Sequence, residues 1–382
     1  MKFTLELARR ATRLRAIAAV SGLLALSVGA CNDADKLAPE STMAANFDSI
    51  PVDSLAVADS LGIADSLALA DSLLLSDSLG TDSLAAADSL TPSLLFAEAS
   101  LFARAGIPFG PEGLWSGYTT LRSTAVPFTG STNFTDAHGI VKQINAARAK
   151  RQRLTLNMTG GGHHRYKTNG KFDLRKWKAV MNTYNTRAIK AAVRQGVADG
   201  TIIMNTVMDE PNVKSWGGVM TKPLLDQMAR YVKTMFPTLP AGVALRHDWR
   251  PYEKFRVMDA FIAQFSWYRG SVTKFRSEAL ATAKAQRMSV VFALNILDGG
   301  VHNFKKKDCP LTITGGKGTY SPACRMTARQ VREWGRALGP AGCAMLLWRY
   351  DRTFMSKTVN VQALRDVAST LAKTPGKSCR RS

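Results

Sequence analysis

The strongest constraint on this chain is an alternation that begins near Leu101: short apolar runs with strand character are separated by longer stretches of helical periodicity. Candidate strands occupy 114–120, 153–158, 201–208, 243–246, 260–265, 289–296 and 343–348, and helical patterns fill 135–150, 173–197, 221–235, 272–286, 327–338 and 359–372. Threonines and Asp173 stand where these helices open, and a side-chain oxygen there can accept an N–H that the first turn leaves without a partner. Strands that are apolar throughout, alternating with helices, imply a parallel sheet buried on both faces. A body of about 280 residues is the usual size of one (β/α)8 domain. Seven strands are legible. The eighth is expected within 173–197, where 182–186 interrupts the helical pattern. The predicted fold is therefore α/β, a (β/α)8 TIM-type barrel with one strand short or irregular, over 101–382.

The residues before the barrel are of two other kinds. Lys2, Arg9, Arg10, Arg13 and Arg15 face a single acid, Glu6, and 16–28 is then apolar or small throughout. This is a charged region followed by a hydrophobic run too short to span a bilayer, the pattern of a secretory signal peptide over 1–30. Val28-Gly29-Ala30-Cys31 ends the run and resembles the lipobox of bacterial lipoproteins, which implies cleavage before Cys31 and lipidation of that cysteine. The expected location is the cell envelope, with the chain lipid-anchored to a bacterial membrane and facing the periplasm or exterior. The alternative is an ordinary secretory signal with a coincidental cysteine. The Arg9-Arg10 pair lacks the rest of a twin-arginine motif.

Within 31–100, Asp-Ser-Leu recurs at Asp53, Asp59, Asp65, Asp71, Asp77, Asp82 and Asp88. A six-residue step rotates the leucines around a helix without forming one apolar stripe, and repeated Asp-Ser pairs favour turns. The repeats read as a low-complexity, mostly disordered stalk, whose coil dimensions would hold the barrel roughly 45 Å from the membrane. Charge divides at the same boundary. Residues 32–100 hold twelve acids and one base, a net of −11, whereas 101–382 carries forty-five bases and sixteen acids, a net of +29. A basic body suits an anionic polymer; it also keeps a protein soluble. The basic residues are not interleaved with aromatics as a base-stacking groove requires, so no specific nucleic acid partner is expected.

Four cysteines follow Cys31, and no C-x-x-C pair is present. In an oxidising compartment disulfides are favoured over metal. Cys309 with Cys324, closing a loop, and Cys343 with Cys379, tying down the C-terminal tail, form the preferred pairing of the three possible ones.

In a parallel barrel the loops after the strands share one face, so functional side chains gather there. The chain delivers His163 and His164 after Gly160–Gly162; Asp209, Glu210 and Pro211 after 201–208; His247, Asp248 and Trp249; Ser266, Trp267 and Tyr268; Asn295 and Asp298; and finally Trp348, Tyr350 and Asp351. Gly200-Thr201-Ile202-Ile203, leading through Met208-Asp209-Glu210-Pro211-Asn212, resembles the strand-end motif of glycoside-hydrolase-like (β/α)8 barrels, in which the acid before proline is the general acid. Trp348 resembles the sugar-platform tryptophan that ends the last strand of those barrels. The resemblance covers 115–351 and implies a polysaccharide or oligosaccharide substrate. One departure stands out: many members carry a glutamate after the seventh strand, where this chain has Asn295 and Asp298.

The residues support the same chemistry on their own. Cleaving a glycosidic bond requires one carboxyl held protonated and another ionised. Neighbours at a strand end usually point different ways, so Glu210 is expected to enter the cleft while Asp209 orients it or binds a hydroxyl. Asp298 is the best partner, with Asp351 and Asp248 behind it. Acids at loop starts also serve as plain helix caps. Trp216, Trp249, Trp267, Tyr268 and Trp348 fall on the predicted rim, where their rings either stack on sugar faces or pack under loops, with His163, His247 and Asn295 as polar contacts, while Trp177 and Trp334 read as core. Adjacent histidines are poorly spaced for one metal ion, Gly160–Gly162 is too short for a P-loop, and no Gly-x-Ser-x-Gly turn suggests an esterase. No metal or cofactor is expected, and a monomer is. The alternative to a hydrolase is a non-catalytic barrel that holds an anionic glycan.

Overall fold

The computed structural model describes residues 106–158, 163–211, 216–245, 254–301 and 324–381. The signal segment with Cys31, the Asp-Ser-Leu repeats, His247, Asp248, Trp249 and Cys309 lie outside them, and His163 is described in its backbone alone.

Eight parallel strands run in chain order around a closed ring: β1 (Phe109–Pro111), β2 (Gly130–Phe134), β3 (Arg153–Asn157), β4 (Ile202–Asp209), β5 (Ala241–Ala244), β6 (Ala260–Phe265), β7 (Ser289–Asn295) and β8 (Ala344–Trp348). β8 returns to β1 through Phe109↔Met345 and Pro111↔Leu347. The last seam, between β1 and β2, closes through a Glu112↔Thr132 bridge, with the Gly113 amide donating to the Thr132 carbonyl at 3.0 Å. Helices α1 (Ile140–Ala149), α2 (Leu174–Asn182), α3 (Arg187–Ala198), α4 (Lys222–Met235), α5 (Val272–Gln286) and α6 (Ala328–Leu338) follow their strands, and α7 (Arg352–Ser356) and α8 (Thr358–Lys373) follow β8. This is a (β/α)8 barrel.

Two expectations are corrected. Residues 114–120 form no barrel strand; Trp115–Ser116 pairs with Thr120–Leu121 in a small antiparallel hairpin. The strand missing from the sequence reading is not in 173–197 either, where the interruption is the turn between α2 and α3 and Thr186 caps α3 by accepting the Ile189 amide at 3.3 Å. The overlooked strands are β1 and β2. Phe109-Gly110-Pro111 has turn composition, and β2 is mostly polar because Ser131 and Asn133 are satisfied by each other, the Asn133 side-chain amide donating to the Ser131 hydroxyl at 3.0 Å. Gly110 permits the seam: a Cβ there would lie 1.8 Å from the Gly130 carbonyl oxygen.

Apolar residues separate into two layers. Ile144, Leu156, Trp177, Val207, Met208, Phe261, Phe292 and Leu364 belong to the large core between strands and helices. Met204, Ala244, Ala260, Ile262, Val291, Ala293, Ala344 and Leu346 form a separate cluster that fills the ring itself. Trp177 and Trp334 are core as expected, Trp177 wholly buried and Trp334 packed edge-on against Phe265 at 4.9 Å. Asp173, Thr221 and Thr327 cap α2, α4 and α6. The expected Cys343–Cys379 disulfide is present, with a Cα–Cα distance of 5.3 Å. It carries the C-terminal tail across the starts of the strands, where Ser289 Oγ donates to the Arg380 carbonyl at 2.7 Å. Cys324 is also disulfide-bonded, but its expected partner Cys309 lies outside the described residues.

Candidate functional site

The strand ends converge on a narrow cavity of about 40 Å³ whose walls include Glu112, Asn157, Thr206, Asp209 and Trp348. Ala244 and Ala293 line it as well, and their small side chains leave the space open. The volume is close to one water molecule's share of the liquid, so a larger ligand must sit above these groups.

A β-bulge decides which acid of the Asp209-Glu210 pair enters. Along β4 the register against β5 runs Thr206↔Gly242 and then Met208↔Val243, so one residue of β4 is extra. Regular alternation from the inward Thr206 would turn Met208 inward and Asp209 outward. The extra residue reverses that parity: Val207 and Met208 join the outer core, and Asp209 lines the mouth. Asp209, expected to orient Glu210 or bind a hydroxyl, thus lines the cavity itself, and Glu210 is not among the residues that line it. Among the described residues lining the cavity the carboxyls are Glu112 and Asp209. Glu210 is half-buried one residue further on, with its backbone in the left-handed region at φ 39°. A non-glycine residue pays for that conformation, and such strain clusters at functional sites.

Glu112 is the functional candidate that sequence reasoning missed. Its backbone is fixed on both sides of the seam: its amide donates to the Leu347 carbonyl at 2.9 Å, and its carbonyl accepts from the Tyr350 amide at 2.8 Å. Burial, followed by the charge of Asp209, pushes its carboxyl up to about 8, and Arg349 offsets part of this. Burial likewise pushes Asp209 up to about 7, against the pull of the Glu210 backbone amide. Two acids that each disfavour the other's ionisation hold at least one proton between them at neutral pH. Phe109-Gly110-Pro111-Glu112-Gly113 reads as a turn; the signal that could have exposed Glu112 was the need for one more strand upstream of Leu114.

The other expected site residues divide. Trp348 lines the mouth with 2% of its surface exposed and faces Asn295 across the β7–β8 register. Asn295 closes the turn after β7, its side-chain oxygen accepting the Asp298 amide at 2.9 Å. Asp298 is buried beside that turn. Trp216 is no sugar platform: it is wholly buried, stacks edge-on with Phe172, and donates from Nε1 to the Glu210 carbonyl at 3.1 Å, which braces the strained residue. Asp351 caps α7 through the Phe354 amide at 2.6 Å and pairs with Arg325 at 3.7 Å, so its role in the described structure is to hold the loop after β8. Tyr268 is exposed on the rim and meets Trp267 edge-on at 6.4 Å. Among the described residues no group of three His, Cys, Asp or Glu side chains could hold a metal ion.

No known family profile matches the chain, and no curated protein does. Several solved structures align with much of the chain. Xylanase 10B from Thermotoga maritima is 13% identical, covering 72% of this chain and 98% of its own, with a TM-score of 0.44. An intracellular xylanase from Thermoanaerobacterium saccharolyticum, solved with xylotriose, is 8% identical over 70% of this chain and 97% of its own, with a TM-score of 0.43. A family 26 endo-β-1,4-mannanase from Bacillus sp. JAMB-750 is 11% identical over 72% and 90%, with a TM-score of 0.41. These likenesses concern architecture. The chain is a (β/α)8 barrel by its own strand order and closure.

Proposed function

We propose that this barrel is a carbohydrate-active hydrolase that cleaves glycosidic bonds at its mouth by carboxylate acid/base chemistry. The observation that carries the reading is the Glu112–Asp209 pair: two carboxyls in one cavity, both pushed toward neutral pH by burial. Glycosidic cleavage needs a proton donor and an ionised carboxylate at the same time, and environments that raise carboxyl pKa values are how proteins keep an acid protonated at pH 7. Glu210, directly after Asp209 and held at the rim by Trp216, supplies the proton donor in this scheme; Asp298, after β7 and across the mouth from β4, supplies its ionised partner. Asp209 and Glu112 offer the bound sugar both a donor and an acceptor. Trp348 beside them presents a flat apolar face, and Trp267, Tyr268, Asn295, His163 and the His247-Asp248-Trp249 run are further contacts in the same scheme. The exported, lipid-anchored location completes the proposal and rests on residues 1–31 alone.

Glu210→Gln keeps shape and charge-free hydrogen bonding but removes the acid, and should lower cleavage of an unactivated glycan by about 10² to 10⁴-fold. Substrates with a leaving group that needs no protonation should keep most of their rate. Equal cleavage by variant and parent ends the assignment of Glu210. Binding without cleavage by either one favours the non-catalytic reading, for which the supporting observation is that β7 ends in Asn295, an amide committed to its own turn.

A further inference from the structure

Outside the mouth, the most prominent feature is a groove of about 820 Å³ between α3 and the segment that follows α4. Arg187, Lys190 and Arg194 line it from α3, and Met235, Phe236, Pro237 and Thr238 line the other side. The three cations stand at i, i+3 and i+7, which places them on one stripe of the helix. All three are exposed, and among the described residues no acid lines the groove. Asp199, the acid just past the end of α3, is taken by Arg148 at 2.5 Å. Among the described residues the side chains of Arg187, Lys190 and Arg194 have no hydrogen bond or ion pair.

This arrangement works against helix stability. Like charges three and four residues apart repel, and Arg187 occupies the first position after the Thr186 cap, where the helix dipole favours an anion and disfavours a cation. A solvated basic face carries no such requirement for alignment along a concave wall. An anion in the groove relieves both penalties, because the helix end and the three side chains attract it together. The floor decides its kind. Val193, Met235 and Phe236 are buried beneath the cations, and among the described residues no exposed aromatic ring faces the groove for a base to stack on. A sugar chain can lay its C–H faces on such a floor while its acid groups meet arginine forks, which match carboxylate geometry.

We infer that the α3–α4 groove is a second glycan-binding site, separate from the mouth, that holds a linear polysaccharide carrying carboxylates along its length. This deepens the hydrolase reading by naming acidic glycan as its substrate class, and it rests on that reading only for the link to cleavage. The test is a binding titration of the full exported chain with polygalacturonate as the probe and neutral β-mannan as control, at two salt concentrations. Replacing Arg187, Lys190 and Arg194 together by Glu should weaken polygalacturonate binding at least tenfold and make it less salt-sensitive, with the melting curve retained because all three positions are exposed. The triple Gln variant should fall between it and the parent. An equal charge change on α5, at Lys274, Arg276 and Lys284, should alter binding about twofold or less. Unchanged binding in the α3 variant, or an equal loss in the α5 variant, overturns the groove and leaves only diffuse attraction to the basic body. Loss in the α3 variant without cleavage by any of the proteins supports the groove and overturns the hydrolase reading instead.

Discussion

Asp259 and Asp209 are buried almost equally, with 4% and 7% of their surface exposed, yet the two ends of the barrel use them in opposite ways. Asp259 precedes β6 at the N-terminal end of the ring. It accepts from the Ala241 amide at 2.8 Å and the Arg381 amide at 3.2 Å, and pairs with Lys233 at 2.7 Å. Asp226 is bound similarly, accepting the backbone amides of Arg256, Val257 and Met258. Asp209 ends β4 at the mouth, where the described residues give it the amide of the next residue and a second carboxyl, Glu112, in place of a cation partner. A buried acid with partners stabilises a fold; one facing another acid stores electrostatic cost, which is what a proton-transfer site requires.

Opposite mutational signs should expose the contrast most strongly. Asp259→Ala leaves the half-buried Lys233 and two backbone donors without their acceptor and should cost about 3 kcal/mol, since each buried donor left unsatisfied costs about 1 to 3 kcal/mol. A melting temperature within one or two degrees of the parent would erase the distinction between the two ends. The disulfide at the same end should matter about as much: for a loop of 36 residues, Cys343→Ser is expected to cost about 2 to 4 kcal/mol. Equal stability with and without reductant would show that the tail is held by Arg380 and Arg381 alone.

The mouth should respond in the other direction. Burial holds Glu112 at about 8 and Asp209 at about 7, above their ordinary values of 4.5 and 3.8, so the native state binds more protons than the unfolded chain between those limits. Their contribution is therefore fully present below about pH 4 and is lost as pH rises through 7 and 8. Asp209→Asn should remove much of that dependence and raise the melting temperature at pH 8 by a few degrees, about 1 to 2 kcal/mol, with little change at pH 4. Loss of stability at pH 8 would mean that Asp209 is bonded like Asp259. The smallest effect is expected at Trp216→Phe, which removes the hydrogen bond to the Glu210 carbonyl while keeping the ring against Phe172; about 1 kcal/mol is anticipated, with a larger fall in activity than in stability. Parallel falls would make Trp216 a core residue only.

The same contrast explains what could be read from sequence. The barrel was legible because β4 through β8 are largely apolar and β3 keeps Leu154 and Leu156 on one face, and Asp173, Thr221 and Thr327 were recognisable as caps. The Cys343–Cys379 bridge was legible from an even cysteine count behind an expected export signal. β1 and β2 were not, because a strand held by seam hydrogen bonds needs neither apolar alternation nor length, and Glu112 was lost with them. Asp209 and Glu210 were found, but that Asp209 lines the cavity was not legible, since a bulge leaves no trace in the residue types of Thr206 to Asp209. Trp216 looked like a rim aromatic and is a brace because its ring is wholly buried and its Nε1 donates to the Glu210 carbonyl.

The central claim, that the mouth holds a carboxyl pair sharing a proton at neutral pH, is most directly tested by following the carboxyl carbons of Asp and Glu by isotope-edited NMR from pH 4 to pH 9. The account predicts two carboxyl signals that remain wholly or partly protonated at pH 6 and titrate together near 7 and 8. Both change in Glu112→Gln, where the remaining signal, Asp209, should titrate lower than in the parent. If instead every carboxyl is ionised by pH 6, and Glu112→Gln removes one signal without shifting another, the two acids do not interact and the mouth is not a proton-transfer site.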